Sequence, residues 1–148
     1  CAAGSPQDTW LRADLAAHSN VCTLAYWHHP RFNSGLEHGN NTAVANFWNA
    51  LYQYGADVVL NGHEHVYERF APQTPAAVAD PTSGIRQFTV GTGGASHYPF
   101  GTIQPNSEVR NATAFGVLEL TLHATSYDWH FVPVAGATFT DTGTASCH

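Results

Sequence analysis

The sequence has no methionine and no lysine; its five cations are all arginine, set against 11 acidic residues for a formal net charge of −6. A chain so poor in basic residues offers no basic face to a phosphate backbone, so nucleic acid is excluded as a bulk partner. An anionic substrate must be attracted locally, by metals or by one arginine. Long apolar runs are also lacking. None approaches the roughly 18–20 residues of a membrane span, and no membrane partner is expected. Only three cysteines occur, Cys1, Cys22 and Cys147. None forms a C-x-x-C pair, which argues against a zinc ribbon or a thioredoxin-type centre. The segment Gly91-Thr92-Gly93-Gly94 lacks the Gly-Lys-Ser/Thr ending of a P-loop. Its glycines instead permit a tight backbone path. The first residue is a cysteine, and the chain is read as a processed product or a fragment.

The 148 residues are 43% hydrophobic and 12% aromatic, enough for one domain unit with its own core. Ser5-Pro6-Gln7-Asp8 starts a helix, with an N-cap, a proline at the first position and an acid in the first turn. Trp10, Leu11, Leu15 and His18 share a face read as core packing. Val21–Trp27 reads as a strand buried on both faces. Thr42–Tyr54 is an amphipathic helix stopped by Gly55. Ile85–Val90 is another strand, and 99–111 reads as irregular. Phe115–Leu122, Ser126–Val132 and Ala137–Thr140 form antiparallel strands of a second sheet. His123, His130 and His148 are assigned to structure or solvent.

The stretch that organises the chain is Asp57 to Arg69. A short β-branched run ends at Asn61-Gly62, and His63-Glu64-His65 follows. Two imidazoles spaced i, i+2 lean the same way in extended chain. They stand at the carboxyl end of a core strand, where α/β sheets keep their ligand sites. A lone H-x-H pair reads as packed histidines. Here Gly62 frees the backbone before it, and a second cluster, Trp27-His28-His29-Pro30, follows another predicted strand. Glu64 and Glu68 are expected to face outward or to brace the loop, with Glu68 and Arg69 as an internal ion pair. His97 is a further candidate for the same rim.

Gly62-His63-Glu64-His65-Val66-Tyr67-Glu68-Arg69 resembles the G-H-x-H-x-Y-E-R motif of the calcineurin-like metallophosphoesterases, in their purple-acid-phosphatase-like branch. Tyr26-Trp27-His28-His29-Pro30 is similar to that family's H-x-P motif, in the family's order. The resemblance implies an α/β fold: the C-terminal half of a four-layer α/β/β/α sandwich, a mixed sheet plus a largely antiparallel sheet. It implies that His28, His63 and His65 are metal ligands, with His29 supporting them. His38, ten positions after His28, resembles a substrate-facing histidine, and a solvated loop histidine is the alternative. Arg31 is a candidate phosphate contact. Tyr67, Glu68 and Arg69 are read as structural residues near the site.

The family's carboxylate motifs, an early Asp, a Gly-Asp segment and a Gly-Asn-His segment, do not occur here. The expectation is therefore that residues 1–148 are the C-terminal portion of a catalytic domain whose missing N-terminal half is a partner. The intact protein would be a metal-dependent hydrolase of phosphate esters. It would use two divalent or trivalent metal ions (Fe, Zn or Mn) and metal-bound hydroxide, and this chain alone would hold one Zn at most. A non-catalytic mononuclear zinc-binding module or an interaction domain is the alternative. Cys1 and Cys22 flank the first helix, and a disulfide between them is expected; free thiols are the alternative. With the sequons Asn40-Asn41-Thr42 and Asn111-Ala112-Thr113, this favours a secreted or extracellular protein.

Overall fold

A computed structural model describes residues 2–148. Helix α1 spans Pro6–Ala17, and its Ser5 cap accepts a hydrogen bond from the Asp8 backbone at 3.2 Å. A single 3-10 turn over Thr42–Val44 leads into α2, Ala45–Gln53. Gly55 takes φ +69° just beyond it, the left-handed position at which a helix terminates most easily on glycine.

Eight strands make two sheets. The first is mixed: β1 (Leu24–Tyr26), β2 (Val58–Asn61), β3 (Tyr67–Phe70), β4 (Arg86–Val90) and β5 (Ser107–Asn111), in the order β1-β2-β4-β3-β5. β1, β2 and β4 run parallel, while β3 is antiparallel to both β4 and β5. β1, α2 and β2 form the expected βαβ unit. The second sheet is an antiparallel meander of β6 (Gly116–Leu122), β7 (Ser126–Pro133) and β8 (Thr142–Ser146).

Side-chain alternation along the strands divides the core in two. Val59, Phe70 and Ile85 face the helix side, where they pack with Trp48, Leu51 and Phe32. Val58, Tyr67 and Phe88 face the second sheet, where they meet Tyr127, Trp129 and Phe131. The molecule is thus layered helix, mixed sheet, antiparallel sheet. This is the architecture expected from the sequence.

Several local expectations change. Val21–Trp27 contracts to the three residues of β1, and Tyr26 is 80% exposed. β1 lies at the end of the sheet order, so its apolar residues are covered on fewer sides than those of an inner strand. Trp10 is 61% exposed, and the one buried residue of α1 is Asp8; the helix meets the core through half-buried Leu15. The irregular stretch contains β5, a polar strand that forms because β3 offers it a partner. The third strand of the meander is β8 rather than Ala137–Thr140. Phe139 instead packs from a loop against Tyr67 and Phe131. Gly143 in β8 lies against Trp129, whose ring a Cβ would overlap.

Cys22 is bonded to Cys147, 125 residues away, with Cα atoms 5.3 Å apart. The expected Cys1–Cys22 bridge is therefore replaced; Cys1 lies outside the described residues. The bridge joins the entry to β1 with the exit from β8, and so ties the two sheets. Among the described residues no helix is long and apolar enough to cross a membrane.

A bridge that closes so long a loop restricts the unfolded chain strongly. Replacing Cys22 and Cys147 together by serine is expected to lower unfolding stability by about 2–4 kcal/mol, measured by urea denaturation. An unchanged midpoint would show that the bridge carries no stability.

Candidate metal centre

β1 and β2 are in parallel register, Leu24 opposite Val58 and Tyr26 opposite Leu60. Their carboxyl ends therefore lie side by side, and Trp27-His28-His29 and Gly62-His63 leave the sheet together. Four bonds fix the two exits. Trp27 N donates to Leu60 O at 3.1 Å and Gly62 N to His28 O at 3.0 Å. Asn61 Nδ2 donates to Trp27 O at 2.9 Å, and Trp27 Nε1 to His29 O at 2.6 Å.

The imidazoles converge above this frame. His63 Nδ1 lies 3.1 Å from His28 Nε2. The His29 ring centroid lies 4.2 Å from that of His63 and 5.0 Å from that of His28. One ring nitrogen from each of the three falls within 4.8 Å of the others. At a Zn–N distance of about 2.0–2.1 Å, two ligands on one tetrahedral ion stand about 3.3 Å apart, so the His28–His63 separation suits a ligand pair. Three imidazole nitrogens fit one borderline-soft cation, with a fourth position open. Among the described residues no carboxylate joins this group.

His63 adopts φ +65°. A non-glycine residue held there costs on the order of 1–3 kcal/mol, and such strain gathers at functional sites. Burial, and then the neighbouring His38, His29 and His28, hold His63 below the ordinary histidine range. A lowered pKa favours the neutral ring, whose lone pair is what a cation needs.

His65 does not join the trio. Its Nδ1 donates to Ser96 O at 2.9 Å, and its ring stacks on Tyr98 with centroids 4.3 Å apart. A carbonyl only accepts, so Nδ1 carries the proton and Nε2 the lone pair. His38 approaches from the loop, its ring 4.0 Å from that of His63. Arg31 lies on that loop with its guanidinium 4.7 Å over the Phe32 ring, and burial lowers its pKa. His97 is engaged elsewhere, donating to Ala114 O at 3.1 Å and packing on Phe115.

The second half of the motif turns inward. Glu64 and Glu68 are both fully buried. Glu68 accepts from Ser34 N at 2.9 Å and Ser107 Oγ at 2.5 Å. The expected Glu68–Arg69 pair is absent, because successive strand residues point to opposite faces. Arg69 pairs instead with Glu108 and, at 2.7 Å, with Asp141, which also accepts from Tyr67 Oη at 2.7 Å. Sequence reasoning left His29 in a supporting role and missed Asn33, Asn61 and Tyr98. The doubled histidine at a strand end was the available signal for His29; the other three need tertiary contacts.

The fold has counterparts among known proteins. No family model matches the chain. Purple acid phosphatase 15 of Arabidopsis thaliana is 38% identical over 68 residues, covering 43% of this chain and 13% of that protein. Purple acid phosphatase 18 of the same plant is 33% identical over 95 residues, covering 61% of this chain and 21% of that protein. In three dimensions the chain superposes on the purple acid phosphatase PPD1 from yellow lupin (Lupinus luteus) seeds with a TM-score of 0.81 at 20% identity. That superposition covers 97% of this chain and 28% of the lupin chain. The chain is thus similar to purple acid phosphatases in sequence and shares the fold of part of one. This is the resemblance carried by its two histidine motifs.

A nuclear magnetic resonance titration of the metal-free chain should place His63 below the ordinary histidine value of about 6.5. His38→Ala, by removing a neighbouring imidazole that lowers its pKa, should move it back up. The folded state disfavours the protonated ring. The stability held by neutral His63 is therefore present above about pH 6.5 and lost as pH falls through the depressed value. A titration at or above the ordinary value would contradict the geometry described.

Proposed function

We propose that residues 1–148 are the C-terminal portion of a metallophosphoesterase catalytic domain and supply the histidine half of a binuclear site that hydrolyses phosphate esters. The observation that carries this reading is the meeting of His28 and His63 at the carboxyl ends of two neighbouring parallel strands. His65 stands two residues further on, its Nδ1 donating to Ser96 O. His28, His63 and His65 are the assigned metal ligands, and His29 is placed to assist them. His38 and Arg31 on the facing loop are assigned to the phosphate ester. The similarity to plant purple acid phosphatases supports the reaction class.

When bound, iron, zinc or manganese ions would supply positive charge for the phosphoryl oxygens and acidify a water molecule. The chain's own residues hold three lone pairs in place and present a histidine to the substrate. The carboxylates that would bridge two metals are proposed to come from a preceding segment. The Cys22–Cys147 bridge supports an extracellular setting, since such bonds persist in oxidising compartments.

A second reading rests on the tight trio itself. His28, His29 and His63 form a group without a carboxylate, which suits a mononuclear zinc module.

Metal content and hydrolysis of p-nitrophenyl phosphate, measured on the chain and on His28→Ala and His63→Ala, separate these readings. The wild-type chain should bind about one equivalent, and each variant, having lost a direct ligand, should bind far more weakly. Addition of the carboxylate segment should raise the content to about two and start turnover. Variants that retain metal like the wild type would remove the site. One equivalent without turnover, even after that addition, would leave the zinc module.

A further inference from the structure

A carboxylate with no exposed surface lies directly behind the histidine rim. Glu64 is wedged between two glycines: a Cβ on Gly35 would overlap its carboxylate, and a Cβ on Gly91 would overlap its backbone carbonyl. A buried charge is costly unless it is paired and hydrogen-bonded. Among the described residues the titratable side chain it meets is His38, whose Nδ1 lies 3.0 Å from Oε2. Oε2 also accepts from Asn33 Nδ2 at 2.9 Å and from His38 N at 3.2 Å. Oε1 accepts from Glu37 N at 3.3 Å. Asn33 is itself fixed: its Oδ1 accepts from Gly35 N and its N donates to Asn40 Oδ1, both at 2.8 Å. The carboxylate therefore has no freedom to turn away.

His38 is held very differently at its two ends. Its backbone N and its Nδ1 are both tied to the same buried carboxylate, while the side chain remains 34% exposed on the site side. A carboxylate only accepts, so Nδ1 must carry the hydrogen. Nε2 is then the ring atom left to exchange a hydrogen bond with a ligand. This is the division of labour in any carboxylate–histidine dyad: the acid fixes tautomer and orientation, and the far nitrogen does the work.

We propose that Glu64 is a positioning residue: its buried carboxylate holds the proton of His38 on Nδ1 and so presents Nε2 to an oxygen of the phosphate ester. The assignment of the ligand rests on the phosphoesterase reading above; the geometry of the dyad does not. Its sequence position follows from the motif. Glu64 lies in the bend between His63 and His65, and its side chain runs under the loop that carries His38.

The test is long-range nitrogen–proton correlation on the histidine-labelled, metal-free full chain. Wild-type His38 should carry its proton on Nδ1. Glu64→Gln, which can donate as well as accept, should release the ring into a mixture of both tautomers, with the His28 and His63 signals unchanged as a check on the fold. In the metal-loaded, turning-over protein the same substitution should lower kcat by about ten- to a hundredfold with KM within a few-fold. A wild-type His38 protonated on Nε2 would overturn the proposal without recourse to any variant. So would a Glu64→Gln chain that folds and keeps the wild-type tautomer. Because the tautomer is read without metal or ester, it judges the dyad even if the chain proves not to be a phosphatase.

Discussion

Two buried carboxylates four residues apart hold the functional face of this molecule together. Glu64 and Glu68 both lie beneath the loop that begins at Phe32. Glu64 takes Asn33, Glu37 and His38, and Glu68 takes Ser34 and, from β5, Ser107. Removing a carboxylate from water costs several kcal/mol. Hydrogen bonds to charged groups return about 1.5–3 kcal/mol each, so the loop must close over both acids or leave the cost uncompensated. Burial raises the pKa of Glu68, and its bonds to Ser107 and Ser34 draw it back. The loop's conformation is thus imposed from below, by the strand segment that also carries His63 and His65.

The same segment, a bend that runs into β3, serves three directions at once. His63 and His65 face the site. Glu64, Val66 and Glu68 are buried. Tyr67 and Arg69 reach across to Asp141 beside β8, and Arg69 also lies 5.1 Å over the Trp129 ring. The inter-sheet clamp of Tyr67 and Arg69 and the brace from Glu68 are set by the register of β3, and a slip of one residue would exchange them. The glycines at 35 and 91 belong to this arrangement, since each lies where a side chain would strike Glu64.

How far the sequence foretold this depends on the range of the interactions involved. The βαβ unit, the meander and the two histidine clusters are local patterns of period and punctuation, and they were legible. The Cys22–Cys147 bridge spans 125 residues and leaves no local trace. β5 and β8 are polar or small-residue strands that exist because a neighbour offers hydrogen bonds, so hydrophobic patterning missed them. Arg69 was paired with Glu68 by adjacency, whereas alternation sends the two to opposite faces. Glu64 was legible only in part: the sequence left it facing outward or bracing the loop, and its bonds to Asn33, Glu37 and His38 decide for the brace. The exposed Trp10 shows the converse, an apolar face placed by periodicity that the fold leaves largely uncovered.

The bridge between Cys22 and Cys147 also decides how the molecule would bear mechanical load. With that bond closed, tension applied between the segments outside Cys22 and Cys147 passes through the sulfur atoms rather than through the sheets. Every histidine-bearing loop of the candidate site lies inside the covalent ring and is shielded from that tension. In an oxidising environment the candidate site would keep its geometry under such a load; reduction of one bond would expose it to the pull.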